Sequence, residues 1–218
     1  DCLRDLERQL PPAGRDDAPQ AALRRARLAA DTMAELMRDI LDMAQLDAGR
    51  LALRPADYAL APVLDRVMDD FAARAAARGM RLVVEIAPGL PQRLHGDGGR
   101  VRQVLANFVS NAVKYSDSGQ ITLRASRLDL GAPMLRLAVA DPGPRVPPAH
   151  AALLFQPFAR LPAAGREGDA APPSVGLGLA ICERLARIMG GEVGLVAGAA
   201  GGNEFWITVP LQPARLPP

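Results

Sequence analysis

Polar and apolar positions divide the chain into one long helix followed by a denser run of short helices and strands. Residues 1–10 (DCLRDLERQL) have a helical pattern, and PPAGRDDAP after them must turn. Asp17 can cap the next helix, and Pro19 suits its first turn. From about 19 to 49 an amphipathic helix is predicted. Its apolar stripe includes Met33, Leu36, Met37, Ile40, Met43 and Leu46, and Gly49 ends it. So narrow a stripe on so long a helix has no partner in the chain except residues 1–10. It reads as half of an antiparallel hairpin that dimerises into a four-helix bundle.

After Pro55 the texture changes. Residues 56–60 fit a short strand, 62–78 an amphipathic helix stopped by Gly79, and 80–86 (MRLVVEI) a strand broken by PGLP. A helix over 97–115 follows, then strands over 120–126 and 134–140. Residues 142–175 are rich in proline and form a long loop with one helical turn near 148–154; a loop of this length is usually functional. A helix over 176–191 starts and ends at glycines, and strands over 192–198 and 204–210 form a hairpin across AAGGN. Helices therefore cover one face of a mixed, mostly antiparallel sheet, an α+β arrangement. The expected division is a partial helical hairpin over 1–52 and a second domain over 53–218.

Composition narrows the classes of function. The 218 residues are 49% hydrophobic and 23% charged, a globular balance, with aromatics at only 4%, so aliphatic side chains build the core. A net charge of +2 without a basic run gives no case for nucleic acid. Cys2 and Cys182 lie far apart, without metal-ligand spacing, and read as free thiols in a reducing, cytoplasmic setting. No apolar stretch is long enough to span a membrane, and a signal peptide is not expected within these residues. The chain begins at Asp1 rather than methionine and is expected to be a fragment, so the full-length protein can still be membrane-anchored.

Three features could carry chemistry. On the 97–115 helix, Gln103, Asn107, Asn111 and Lys114 line the side opposite the apolar residues. An asparagine oxygen suits Mg²⁺, a lysine one turn on can neutralise phosphate, and Tyr115 can pack beside a nucleotide. The same row could simply face water. Asp141 ends an apolar strand beside Pro142 and Gly143. A carboxylate there can accept the amino group of adenine and reject the carbonyl of guanine, or it can be an ordinary turn aspartate. GLGLAI opens the 176–191 helix: Gly176 and Gly178, with the backbone of Leu177 and Leu179, would let amides approach a phosphate at a helix N-terminus. Helices also start at glycine for simpler reasons.

In order along the chain stand DGGRVRQVLANFVSNAVKYS, VADPG, LFQPFAR, VGLGLAICERLARIMGGEV and GGNEFWITVP. This series, covering about residues 50–210, resembles the catalytic ATPase domain of sensor histidine kinases, a branch of the Bergerat-fold ATPases. MRDILDMAQLDAGRLAL (37–53) resembles the end of their second dimerisation helix.

The resemblance implies a Bergerat-type α/β sandwich preceded by a long helix of a dimerisation hairpin. ATP would lie between the 97–115 helix and the 142–175 loop acting as a lid. It implies Asn111 as Mg²⁺ ligand with Asn107 beside it, Lys114 and Tyr115 at phosphate or nucleotide, Asp141 with Gly143 at adenine, and Gly176, Leu177, Gly178 and Leu179 at phosphate. Phe155 and Phe158 match the phenylalanine box, and Arg160 matches the lid arginine that reaches the γ-phosphate. Transfer to a histidine, and then to the receiver domain of a response regulator, is the implied reaction, with a homodimer formed through the hairpin and no contact with membrane or nucleic acid.

The sequence departs from this pattern in three places. DPGPR stands for D-x-G-x-G, so Arg145 replaces a glycine; if that position needs positive φ, arginine there is costly. GGNEF places Asn203 and Glu204 where small residues are common. The only histidines, His95 and His150, lack a phosphoacceptor context, so the acceptor is expected upstream of Asp1 and this chain alone should not autophosphorylate. The alternative is a degenerate pseudokinase or phosphotransfer scaffold with weak or no ATP binding, a reading that Arg145 and the proline-rich lid favour.

Overall fold

The computed structural model describes residues 18–49, 51–129, 131–159, 176–198 and 201–214. The helix expected over 1–10, the turn after it, Asp17 and Arg160 lie outside these residues.

Helix α1 (Ala18–Asp47) is the long element expected from its stripe, and the stripe divides between two surroundings. Met43 and Leu46 pack against the core of the rest of the chain, with Leu51 after them, whereas Met33, Met37 and Ile40, with Leu41, remain exposed. Polar contacts fix the same end of α1. Asp42 accepts a hydrogen bond from Gln103 at 2.6 Å, and Asp47 pairs with Arg184.

Strand β1 (Ala56–Ala59) pairs antiparallel with β3 (Arg93–Gly96) in a separate two-stranded sheet. β3 was not expected. Helix α2 (Leu60–Ala76) and strand β2 (Met80–Ile86) precede it; α3 (Gly98–Tyr115), β4 (Gly119–Asp129) and β5 (Pro133–Asp141) follow. A single turn of helix, α4 (Pro148–Ala151), then leads to a 3-10 turn at Leu153–Phe155. Helix α5 (Gly178–Ile188) and strands β6 (Glu192–Ala197) and β7 (Asn203–Pro210) complete the order.

The main sheet runs β2-β4-β5-β7-β6; β2 and β4 are parallel, and every other neighbouring pair is antiparallel. Alternation decides its two faces. Leu135, Leu137 and Val139 of β5 and Phe205, Ile207 and Val209 of β7 are buried in one cluster with Leu64 and Val67 of α2, Val104 and Phe108 of α3 and Leu185 of α5. Phe108 is fully buried, its ring 5.7 Å from that of Phe205. The opposite face is polar. Arg136 reaches Glu204 at 2.7 Å and lies over the Trp206 ring, and Arg124 bridges Glu85 and Glu204. Helices thus cover one face, as the sequence pattern required.

Candidate functional site

The site is built where α3, the end of β5 and the start of α5 meet. Helical spacing brings Asn107 and Asn111 onto one side of α3, and Asn111 Nδ2 donates to Asn107 Oδ1 at 3.2 Å. That bond uses the amide nitrogen of Asn111 and leaves its carbonyl oxygen for a cation. Lys114, in the last turn, places its ammonium 5.4 Å from the centre of the Tyr115 ring, which is 42% exposed. Gln103 shares the row but serves the junction with α1: besides its bond to Asp42, its Oε1 accepts from Arg100 at 2.7 Å.

Asp141 follows Leu135, Leu137 and Val139 in the core-facing register of β5, so a carboxylate occupies a position that alternation assigns to an apolar side chain. It is 5% exposed. Burial raises its pKa; the Gly143 amide, the Asn203 side chain and the Ser116 hydroxyl oppose that shift by favouring the charged form. The Gly143 N–H donates to Asp141 Oδ1 at 2.8 Å, and Asn203 Nδ2 donates to the same oxygen at 3.3 Å. Ser116 Oγ is buried with no partner at hydrogen-bond geometry, a polar atom left over beside the carboxylate. A side chain at Gly143 would lie 2.7 Å from Asp141 Oδ1 and 3.2 Å from the carbonyl oxygen of Tyr115, so the turn after β5 is in contact with the end of α3.

Helix α5 starts against the same row. A Cβ on Gly178 would overlap the side-chain amide of Asn107, so glycine is what permits the helix start to approach α3. Leu177, at the N-cap, makes no side-chain capping bond, so among the described residues no side-chain cap occupies the first amides of the helix. Leu177 itself is buried and Leu179 packs against the core, so these two residues can offer a ligand only backbone groups. Gly176 has φ +76° and its carbonyl accepts from Phe158 N at 2.9 Å. Phe155 is buried, whereas Phe158 is 67% exposed with φ 64°, the one positive φ among the described non-glycine residues.

That last observation corrects an expectation: Arg145 does not adopt positive φ, so arginine in place of glycine carries no left-handed strain. Asn203, expected to be a mere departure from the pattern, is buried and bonds to Asp141, to the Pro144 carbonyl and to the Val146 amide. Sequence reasoning gave it no role, although alternation along NEFWITVP places it with Phe205 and Ile207 on the core face. Two surface clefts, one lined by His95, Leu211, Gln212 and Pro213 and the other by Leu128, Arg136, Glu192, Trp206 and Thr208, share no residue with this site.

Asn107, Asn111, Lys114 and Tyr115 lie on α3, Asp141 and Gly143 at and just after the end of β5, and Gly176, Leu177, Gly178 and Leu179 at the start of α5. The arrangement offers an oxygen for a hard cation, amides at a helix start and a buried acceptor.

Comparison with known proteins gives a consistent result. The sequence profile of the histidine kinase-, DNA gyrase B- and HSP90-like ATPases matches residues 96–213. The sensor protein GacS of Pseudomonas syringae pv. syringae is 35% identical over 188 residues, which are 85% of this chain and 20% of that protein. The sensor protein TorS of Escherichia coli (strain K12) is 35% identical over 86% of this chain and 20% of its own length. The chain thus spans about a fifth of the length of these relatives. Among solved structures, full-length ShkA in complex with AMPPNP superposes with a TM-score of 0.76 at 33% identity, covering 100% of this chain and 43% of that one. The histidine kinase AdeS of Acinetobacter baumannii shares the fold at 18% identity, with a TM-score of 0.67 over 96% of this chain and 91% of its own.

Proposed function

The chain belongs to the histidine kinase-, DNA gyrase B- and HSP90-like ATPases, and from that premise we propose that it is the ATP-binding catalytic region of a two-component sensor histidine kinase. The γ-phosphoryl group of ATP goes to a histidine on a segment upstream of Asp1, and from there to an aspartate of a response-regulator receiver domain. The observation that carries this reading is the close approach of Gly178 to Asn107, which sets the first amides of α5 beside the polar row of α3.

Each residue then has a role. Asp141 Oδ1 is engaged by Gly143 and Asn203, so Oδ2 is the oxygen we assign to the adenine amino group. Two acceptors would face each other if guanine entered, and an unpaired buried acceptor is costly. Ser116 Oγ, buried beside Asp141, is placed to hydrogen-bond the carboxylate or the base. The first amides of α5 hold phosphate oxygens, and Lys114 adds positive charge. A bound Mg²⁺ would screen the phosphates, and Asn111 Oδ1 fits it as a hard oxygen ligand. Arg160 belongs to this proposal as the γ-phosphate arginine; phosphoryl transfer relies mostly on such positioning and charge.

The exposed Met33, Met37, Ile40 and Leu41 of α1 support a homodimer through a helical hairpin, and we divide the chain into that hairpin over 1–52 and the catalytic domain over 53–218. No described helix is long and apolar enough to cross a membrane. Titration calorimetry tests the central reading. Saturable heat with Mg·ATP is expected from the intact chain and none from Asp141→Asn; a folded chain that gives no heat would sink it.

A further inference from the structure

The amide of Asn203 stands at the one point where the adenine-facing carboxylate and the entry of the lid come together. β5 and β7 pair in a register that sets Asp141 directly opposite Asn203, both in core-facing positions. From there Nδ2 donates to Asp141 Oδ1 at 3.3 Å and to the Pro144 carbonyl at 2.9 Å, while Oδ1 accepts from the Val146 amide at 2.8 Å. The side chain is 5% exposed, so its hydrogen-bonding groups are committed within the protein and losing them would leave the Val146 amide and the Pro144 carbonyl without these partners.

We propose that Asn203 is a positioning residue for nucleotide: it orients the Asp141 carboxylate toward the adenine ring and ties the first residues of the lid, Pro144 to Val146, to strand β7. The inference rests on the assignment of Asp141 to adenine made above. Its geometry follows from amide chemistry. Asparagine alone among side chains of this length presents two donors and an acceptor in one plane, so it can restrain a carboxylate and both sides of a turn at once. A serine could donate to Asp141 but could not also bridge Pro144 and Val146. In this chain the lid entry has proline at 142 and 144 and arginine at 145, and the Asn203 bonds supply a fixed starting point for it.

Three variants test the proposal in the full chain: Asn203→Ala, Asn203→Ser and Asp141→Asn. Expected for Asn203→Ala is Mg·ATP binding weakened by about tenfold or more, as for loss of one buried hydrogen bond to a charged group. The preference for ATP over GTP should shrink, and the Val146 amide should exchange with deuterium faster in the absence of nucleotide. Asn203→Ser should restore most of the ATP preference while Val146 stays unprotected, which separates the two tasks. Should Asn203→Ala fail to fold, the Asn203→Ser result decides: ATP preference and Val146 protection both unchanged would overturn the proposal. Asn203→Ala with unaltered affinity and unaltered exchange at Val146, while Asp141→Asn abolishes binding, would also overturn it and leave the adenine assignment standing. Unaltered binding in Asp141→Asn would instead remove the assignment on which it rests.

Discussion

Gly178 and Asn107 are in contact across two helices, and any side chain at 178 would displace the asparagine amide. The start of α5 and the polar row of α3 are therefore held together by the absence of one carbon atom. Gly178→Ala is expected to force either the helix start or Asn107 aside, a strain of ~1–3 kcal/mol. Calorimetry should show binding of Mg·ATP reduced at least tenfold, while circular dichroism keeps its native shape. Native affinity in this variant would mean that the two helices separate without consequence for the site.

Asp141 should make the apo protein less stable as pH rises. Burial raises its pKa above the value in the unfolded chain, so between those two values the native state holds more protons than the unfolded state, and stability is lost as pH increases through that window. Asp141→Asn keeps an oxygen for Gly143 and Asn203 but carries no charge. The expected outcome is a variant at least as stable as the parent at neutral pH, with the difference closing on acidification, measured by thermal denaturation across a pH series without nucleotide. A variant that is less stable at neutral pH and equally stable in acid would mean that the ionised carboxylate favours folding.

At the α1 junction, apolar packing should outweigh the visible ion pair. Arg184 and Asp47 are both substantially exposed, and such pairs contribute about 0–1 kcal/mol. Leu46 is buried against the core, and its truncation should cost about 2–3 kcal/mol. Denaturant unfolding of Leu46→Ala and Arg184→Ala should rank them in that order; the reverse ranking would make the polar clamp the principal fastening.

Cys182 should be chemically silent in the folded protein. Its thiol is buried, and burial together with the charge of Asp39 pushes its pKa up, so little thiolate forms. In a Cys2→Ser background, a thiol reagent should label the protein only in step with unfolding. Rapid labelling under native conditions would show that α5 opens locally.

Much of this was legible in the sequence because the decisive signals are local. The stripe of α1, the spacing of Asn107 and Asn111 and the glycines that open α5 each declare themselves within a few residues. β3 did not, because RLHG is too short to declare a period and exists through pairing with distant segments, β1 more than thirty positions earlier and residues 212–214 far downstream. Asn203 was misjudged for the same reason: its importance is the register that sets it opposite Asp141, a relation between distant parts of the chain. The concern over Arg145 arose from treating a motif's glycine as a demand for positive φ, and the backbone meets no such demand there.

The chain contains a single tryptophan, and it lies on the sheet face turned away from α3 and the candidate nucleotide site, under the guanidinium of Arg136. Emission from Trp206 is therefore a built-in optical gauge of the sheet. It should stay nearly constant during ligand titrations and change when β5 and β7 come apart, so a single fluorescence channel can follow integrity of the scaffold while another method follows occupancy.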